Sequence, residues 1–562
     1  SKSTAIGAAA LNVQNFTTAT DALNTAVGYS SGASVTTGQS NTLIGALSGD
    51  ALTTANSNVA VGGSALTSDT LGSRSVAVGQ GTLGLQNFTT ATNSYNVAVG
   101  YAAGDHITTG TFNVLIGGLA GDALTNADNN VAVGTSTLSN DTLGSKSTAI
   151  GHSALANQNF TTATDSHNTA VGNEAGNAVT TGVENTLIGG LAGDALTDAD
   201  YNVVVGTSAL SADTLGSRSI AIGYKALEAQ NFTTATDAYN VAMGHFAGGS
   251  LTTGIVSTFI GGLAGDAITT ANNNVAVGYR ALTTETSGAN CTAIGTNTLA
   301  AQNVGSGTNV GNTAVGYDAG TAVTSGVQNV FVGAYAGDGT QTGTQNVAVG
   351  QEALSAVAGN TNTAVGTFSL NVCTGSDNTA VGMLAGGSLT SGSNCLFVGH
   401  DAGRTGSPGG NHTTSNNALV LGDENIAAAH IQVDWTVASD QRDKTDFTAL
   451  DVGLDFVNAL KPVTYKWDKR SKYGDKTADD YDLNNITTDG THKEDWLDIG
   501  FKAQEVEAIE KAAGYKIADK TNLTTSLTGD GKQYGIQYAK FVPILVKAIQ
   551  ELTARIKTLE DG

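Results

Sequence analysis

Residues 41–62 read NTLIGALSGDALTTANSNVAVG and contain two copies of a five-residue core that closes at Gly45 and again at Gly62. Such a closing glycine occurs 24 times between Gly7 and Gly422, and most steps run 21, 17, 17 and 17 residues, a super-period of 72. A short, regular period of this kind predicts a solenoid in which each repeat is one coil. A single coil buries too little surface to be stable, so stacking on its neighbours must supply the core.

A second string accompanies the longer step. QNFTTAT occupies residues 14–20, 86–92, 158–164 and 230–236, and a fifth copy at 302–308 has changed to QNVGSGT. Later steps shorten to 16 or 17 residues, and the last lengthens to 23. The regular repeat thus covers residues 1–422 in coils of mostly 16–21 residues.

The core alternates in the manner of a β-strand. In NVAVG at 58–62, Val59 and Val61 share one face and Ala60 lies on the other. We expect the valine face to fill the coil and the alanine face to point outward, where a small residue permits close approach of a neighbouring chain. A bulkier residue takes the alanine position about once in four coils and would act there as a spacer or lock: Leu43, Leu115, Leu187, Phe259 and Phe331. The closing glycine should allow a corner that a side chain would block.

Composition and charge exclude several classes of protein. The 73 glycines show no Gly-X-Y period, so the chain is not collagen-like. The net charge of −23 opposes binding to a phosphate backbone, and no nucleic-acid partner is expected. No apolar run is long enough for membrane insertion. Cys291, Cys373 and Cys395 lack metal-site spacing and should be small buried residues of the repeat. No metal or cofactor is expected.

The five-residue cores resemble the repeats of trimeric autotransporter adhesin heads, which form left-handed β-rolls. The resemblance covers residues 1 to about 422, although the coils here are longer than is usual in that family. It implies three rolls side by side in a homotrimer.

The chemistry of the chain changes after Ala438. Residues 417–438 look like final strands that lead into a cap, and 469–495 are polar and predict a loop. Helices are predicted at 451–460, before Pro462, and at 503–513, before Gly514; strands are predicted at 463–468 and up to about 502. The final helix, 537–560, has a coiled-coil seam with three- and four-residue spacing: Val542, Leu545, Ile549, Leu552, Ile556 and Leu559. β-branched residues alternating with leucine would favour a dimer by the rule for parallel coiled coils, but so short a seam should follow the trimer of the roll.

Four segments carry a second resemblance: SDQRDKTD, GLDFVNALKPVTYKW, IGFKAQEVE and YGIQYAKFVPILVKAIQELTARI. Together they are similar to the endosialidase-type intramolecular chaperone domain that terminates many phage tail fibres and tailspikes. That family assists trimer folding and then cuts itself off just before its serine. By this resemblance Ser439 is the nucleophile, Lys444 is the base, and the bond between Ala438 and Ser439 is cut.

Two acids lie between these two residues in the sequence. Asp440 matches the family pattern and would orient the serine or hold the turn. Asp443 departs from the pattern, since an apolar residue is common there, and an acid beside Lys444 would raise the pKa of that lysine. A serine hydroxyl needs a base, and a lysine can act as one when its pKa is lowered. His430 and His492, the closest histidines in sequence, are too distant to suggest a Ser-His-Asp triad.

These observations predict a mainly β protein. A trimeric left-handed β-roll or solenoid rod (1–422) leads through a cap and junction (423–438) into a small α+β chaperone domain (439–562) that ends in a coiled-coil helix. The resemblance implies a phage tail fibre for host adsorption, made in the host cytoplasm and located in the virion tail. Its partners would be two further copies, other phage tail proteins and a host cell-surface receptor or glycan. Self-cleavage would be a single-turnover serine-peptidase reaction. A trimeric bacterial surface adhesin head and a depolymerase tailspike that acts on host polysaccharide remain as alternatives.

Overall fold

The computed structural model describes residues 2–305, 309–433, 435–476, 478 and 480–562. The final three residues of QNVGSGT, 306–308, therefore lie outside the described residues. The chain folds as two units, Ser1–Gly326 and Val327–Gly562. The first consists of repeat coils, and the second holds the last coils together with the C-terminal domain.

In its described part, the first unit has eighteen three-residue strands, one per coil, and each pairs in parallel with the next at the same position of the core. They are Thr4–Ile6, Thr25–Val27, Thr42–Ile44, Val59–Val61, Val76–Val78, Val97–Val99, Val114–Ile116, Val131–Val133, Thr148–Ile150, Thr169–Val171, Thr186–Ile188, Val203–Val205, Ile220–Ile222, Val241–Met243, Thr258–Ile260, Val275–Val277, Thr292–Ile294 and Thr313–Val315. Shorter parallel pairs accompany the long coils: Gly72–Ser73 with Thr92–Asn93, Gly144–Ser145 with Thr164–Asp165, and Gly216–Ser217 with Thr236–Asp237.

The second unit continues the same arrangement. Its described repeat strands are Val330–Val332, Val347–Val349, Thr363–Val365, Thr379–Val381, Leu396–Val398 and Leu419–Leu421. The prediction of a mainly β solenoid is therefore confirmed.

The prediction for the alternating faces is wrong, because the alanine position points into the coil. Ala60 is fully buried, whereas Val59 and Val61 are only half-buried. The five bulky residues at that position are also fully buried, so they are part of the coil interior and not a lock on the outside. Glycines make room for them: a Cβ on Gly32 or Gly49 would lie 2.6 or 2.8 Å from the side chain of Leu43. The narrow interior thus admits alanine, or a larger residue opposite glycine.

The closing glycine has the predicted role. Gly62 has a φ of +142°, and a Cβ there would lie 2.3 Å from the carbonyl oxygen of Gly79 in the next coil. That space is filled by backbone, which cannot withdraw as a flexible side chain could. The prediction that a side chain would block this corner is confirmed.

The first residue of the core, usually asparagine, forms a buried ladder along the coils. Asn113 donates from Nδ2 to the carbonyl of Ala127 across its own coil at 2.8 Å. Its Oδ1 accepts the backbone N–H of Asn130 at 3.0 Å, and its own N–H donates to Asn96 Oδ1 at 2.9 Å. Each coil thereby satisfies buried backbone groups of its neighbour, which would otherwise destabilise the fold.

Where serine or cysteine replaces the ladder asparagine, the glutamine of the QNFTTAT string or of its changed copy supplies the missing hydrogen bonds. Gln86 Nε2 donates to Ser75 Oγ, at the ladder position, at 2.8 Å and to Asp69 Oδ2 at 2.7 Å. Gln86 Oε1 accepts Asn96 Nδ2 at 2.9 Å, which rejoins the ladder. Three further copies have the same contacts: Asp141, Ser147, Gln158 and Asn168; Asp213, Ser219, Gln230 and Asn240; Glu285, Cys291, Gln302 and Asn312. This role of the glutamine was not predicted from the sequence.

The outward positions of the strands form an apolar face. Thr, Val and Ile side chains from successive strands lie side by side at the spacing of paired strands, about 4.8 Å, and are half-buried or exposed in this single chain. An apolar surface of this extent typically marks an interaction site.

The C-terminal domain follows in the second unit. Its described elements are the helices Leu454–Ala459, Ala503–Ala512 and Phe541–Glu560; the antiparallel strand pairs Val463–Tyr465 with Asp498–Gly500 and Thr525–Leu527 with Tyr534–Ile536; and the 3-10 helices Gln441–Asp443, Arg470–Lys472, Leu483–Asn485 and Tyr538–Lys540. The predicted helices and strands are present with shorter bounds, and the second strand pair was not predicted.

Five buried side chains form the core of this domain: Val452, Phe456, Val506, Phe541 and Ile544. Glu551, on the last helix, accepts the backbone N–H of Leu454 at 2.8 Å and so caps the first helix. All six predicted seam residues of the last helix are exposed in this single chain. None of the helices in the described part combines the length and apolar character needed to cross a membrane.

Candidate functional site

The segment between the last coil and the C-terminal domain is exposed. After the strand Leu419–Leu421, residues 425–433 and 435–449 are all exposed. Alternate side chains of this stretch are large and apolar, namely Ile431, Val433, Trp435 and Val437, and Trp435 is 68% exposed. Period-two apolar residues are expected to pack on one side against another surface, and this chain does not provide one among its described residues.

A short turn follows Ser439. The 3-10 helix Gln441–Asp443 begins after Asp440, whose side chain accepts the backbone N–H of Arg442 at 2.8 Å. The turn closes where the backbone N–H of Lys444 donates to the carbonyl of Gln441 at 3.2 Å. An aspartate at the N-cap is a common way to start such a turn.

This turn brings the two predicted reactive side chains together. Lys444 Nζ lies 2.5 Å from Ser439 Oγ, at hydrogen-bonding distance, although the residues are five apart in sequence. Both residues are exposed in the single chain. The carbonyl of Ala438, the predicted point of attack, immediately precedes this pair in the chain.

Asp440 contacts a different side chain. Its carboxylate forms an ion pair with the guanidinium of Arg442, with Oδ2 at 2.6 Å from Nη2. This hydrogen bond lowers the pKa of Asp440 from its usual value. Asp440 therefore caps the turn and pairs with Arg442, a residue that was not predicted from the sequence. The expected effect of Asp443 on Lys444 stays a prediction.

Together these groups supply part of a serine-peptidase site. Ser439 provides a hydroxyl next to the backbone carbonyl of Ala438, and Lys444 provides an amine of the kind that can accept a hydroxyl proton. Holding a hydroxyl next to a bond of its own chain removes the entropy of bringing two reactants together.

One other group of side chains has the composition of a metal site. The ligand atoms of His400, Asp401 and Asp423 lie within 4.8 Å of one another. Arg404 Nη1 already pairs with Asp401 at 2.6 Å, and Asn425 donates to Asp423 from its backbone N–H and its side chain, at 2.9 and 2.8 Å. The carboxylates are thus neutralised or hydrogen-bonded within the chain, and no metal is assigned to them.

The three cysteines are buried residues of the repeat, as predicted. Cys291 and Cys395 occupy the ladder position of the core. Burial raises the pKa of Cys291 to about 11, which keeps this thiol protonated and unreactive at neutral pH.

Residues 439–515 match the family model described as chaperone of endosialidase. The match begins at Ser439 and extends through the strand pair Val463–Tyr465 with Asp498–Gly500 and the helix Ala503–Ala512. No curated protein and no solved structure matches the chain. The C-terminal part is therefore similar to this family, and the preceding part is a β-solenoid.

Proposed function

We propose that the chain is a trimeric fibre protein of the phage tail-fibre or tailspike type, for host adsorption, whose C-terminal domain drives assembly and is then cut off by its own Ser439 and Lys444. The single observation that carries the cutting step is the 2.5 Å contact between Lys444 Nζ and Ser439 Oγ at the first residue of the family match. The solenoid before that residue supports the fibre.

The reaction follows from these groups. Lys444 accepts the proton of the Ser439 hydroxyl, and Oγ attacks the carbonyl carbon of Ala438. The C–N bond between Ala438 and Ser439 then breaks, and the nitrogen takes the proton from Lys444. Water hydrolyses the resulting ester, which leaves a carboxylate on Ala438 and a free amine and hydroxyl on Ser439. Backbone N–H groups that stabilise the oxyanion would add to the rate.

The exposure of the pair indicates when cutting occurs. A lysine becomes a useful base when burial lowers its pKa, and this chain alone leaves Lys444 exposed. Further copies of the chain, packed against the junction, would supply the burial and also cover the apolar residues from Ile431 to Val437. Cutting would then follow trimer formation.

The outward face of the solenoid is the best candidate for the contact between rolls. The alanines, which were expected there from the sequence, fill the coil instead. The Val, Ile and Thr positions are left to meet other copies, and the exposed seam on Phe541–Glu560 would join the three C-terminal domains. The C-terminal contact aligns the chains and lowers the entropy cost of registering their coils.

Site variants test the cutting step. Ser439→Ala and Lys444→Ala should leave full-length chains that still form trimers. Lys444→Arg should also fail to cut, because a guanidinium stays protonated. Products are measured by mass spectrometry under denaturing conditions, and oligomeric state by sedimentation.

Lys466→Ala is the matched control, since it removes a lysine of the same domain that directly follows the strand Val463–Tyr465. It should cut like the wild type. Cutting that persists in Ser439→Ala, or that starts at another residue, would refute the assignment.

A further inference from the structure

We propose that the last coil of the solenoid is a docking surface for the C-terminal domain, so that the domain stays bound after its covalent link is cut and leaves in a separate step. This inference rests on the proposed cut between Ala438 and Ser439. The docking surface consists of residues 403–412 together with Asp423 and Glu424, and its occupant is the 439–562 segment of the chain.

Glu424 is the centre of the contact. Its side chain is only 5% exposed, and Oε1 forms an ion pair with Lys476 of the C-terminal domain. Lys469, from the same domain, donates from Nζ to the backbone carbonyl of Glu424 at 2.9 Å. Two lysines that lie beyond the cut thus bind one residue that lies before it.

The burial of Glu424 makes the contact specific. A carboxylate that has left water needs a partner, and removing the partner leaves an uncompensated charge. Burial of Lys476 lowers its pKa, which reflects the same loss of water. Glu424 Oε2 has no hydrogen-bond partner in the described part of the chain, so Glu424 depends on Lys476 for compensation.

Close backbone approach extends the docking surface. A Cβ on Gly406 would lie 2.8 Å from Ser471 Cβ and 2.7 Å from Glu424 Oε2. A Cβ on Gly410 would lie 2.9 Å from both Asp530 Oδ1 and Thr528 Cβ. Asp530 Oδ2 also accepts the backbone N–H of Asn411 at 3.2 Å. The 3-10 helix Arg470–Lys472 and the hairpin loop that contains Thr528 and Asp530 therefore contact the last coil at glycines, where a side chain would keep them away.

The contacts join residues on opposite sides of residues 425–438 without using residues 425–438 themselves. Residues 425–433 and 435–438 are exposed. Hydrolysis of the bond after Ala438 would leave every one of these contacts in place. Release is then limited by separation of the docking surface, and the charge pair at Glu424 controls its rate.

The experiment separates docking from self-cutting. In full-length Ser439→Ala, residues 427–433 are replaced by the recognition sequence of a site-specific protease, and the purified protein is cut there. Retention of the C-terminal fragment is followed by gel filtration over time. We expect the fragment to co-elute with the solenoid and then leave slowly. Glu424→Gln should release it about tenfold faster or more, because removing the charge of the buried Glu424 leaves Lys476 without its ionic partner and raises the dissociation rate.

A second variant and a control complete the design. Lys476→Met removes the other member of the ion pair with Glu424. It tests the effect of that pair on the release rate if Glu424→Gln does not fold. Glu505→Gln removes a carboxylate that pairs with Lys502 within the C-terminal domain at 2.9 Å, and it should not change the release rate. Immediate loss of the fragment from the parent protein, or equal release rates in the parent and in Lys476→Met, would overturn docking.

The two proposals fail in different ways. Full-length mass in the chain with Ser439 intact, together with slow release after protease treatment, would refute self-cutting and leave docking in place. Self-cutting with immediate release would refute docking alone.

Discussion

The solenoid and the C-terminal domain differ in how they bury their side chains. The solenoid repeats one small coil, and each coil hydrogen-bonds its neighbour through buried asparagines such as Asn113. Among its described residues, the C-terminal domain has a cluster of five buried apolar side chains. It exposes the apolar face of its last helix, and the apolar residues Ile431, Val433, Trp435 and Val437 before the domain are also exposed. Each coil of the solenoid resembles its neighbours, so the repeat alone does not define which coils of two chains should align. The C-terminal domain does not repeat, so its contacts define one alignment. In the proposed trimer, such a non-repeating end would align the coils of the three chains.

Removing the non-repeating end should have the largest effect. A chain that ends at Ala438 should yield aggregate or monomer instead of soluble trimer, because registering identical coils is slow without alignment. Sedimentation and heat resistance measure the outcome. Wild-type protein that has already assembled and lost its C-terminal domain should remain trimeric, since the domain is needed to form the fibre and not to maintain it. A heat-resistant trimer from residues 1–438 expressed alone would show that the solenoid aligns its chains without the C-terminal domain.

The inward and outward positions of the solenoid should respond differently to arginine. Two matched triple variants are compared: inward Ala60→Arg, Ala132→Arg and Ala276→Arg, and outward Val61→Arg, Val133→Arg and Val277→Arg. Each inward arginine buries a charge and should destabilise its coil by about 4 kcal/mol or more, so the protein should not fold. The outward set should keep its strand content by circular dichroism and lose trimer formation by sedimentation. Stable trimers from the outward set would mean that another face joins the rolls.

The two faces of the strand show what could and could not be predicted from the sequence. The glycine period predicted the coils and their corners because the backbone of each coil packs directly against the next. Alternation defined two faces of the strand but not which one is inside. Hydrophobicity alone favours valine inside, but at most inward positions the narrow coil holds alanine, and leucine or phenylalanine fits where glycines lie against it. The role of Gln86 depends on contacts across 11 and 17 residues, which periodicity does not reveal.

The candidate site shows the same limit. The spacing of Ser439 and Lys444 was available from the sequence, and so was the resemblance that gave it meaning. The ion pair between Asp440 and Arg442, which shapes the turn, was not, because the sequence does not show which neighbour a surface aspartate contacts. The hairpin Thr525–Leu527 with Tyr534–Ile536 was missed because its strands are short and contain glycine and serine.

Breaking one rung of the ladder should have an intermediate effect. Asn113→Ala removes a side-chain donor and acceptor and leaves the carbonyl of Ala127 and the N–H of Asn130 buried without them, which should cost about 2–5 kcal/mol. Asn140→Ala, which removes an exposed contact with Asn157, should change stability by less than about 0.5 kcal/mol. Thermal unfolding of the two variants compares them. Equal melting temperatures would mean that the ladder is not what holds neighbouring coils together.

The smallest expected effect is a pH dependence inside the solenoid. Burial raises the pKa of Asp69 and Asp213 above the usual value of 3.8, despite hydrogen bonds from Gln86 and Gln230. A carboxyl whose pKa is raised on folding stabilises the protein fully below pH 3.8, and this contribution is lost as the pH rises through the folded-state pKa. Relative to Asp69→Asn with Asp213→Asn, the wild type should therefore lose stability across that range. Denaturant unfolding at a series of pH values measures it, and a difference that does not vary with pH would contradict it.

The proposed protein forms a trimer and cuts each of its chains between Ala438 and Ser439. Its most direct test is the mass of the purified wild-type protein, first under native and then under denaturing conditions. Under native conditions we predict a trimer of chains that end at Ala438, with or without bound C-terminal fragments. Under denaturing conditions we predict two fragments, one that ends at Ala438 and one that begins at Ser439. A native monomer of uncut chains, or a new N-terminus at any other residue, would contradict the proposal.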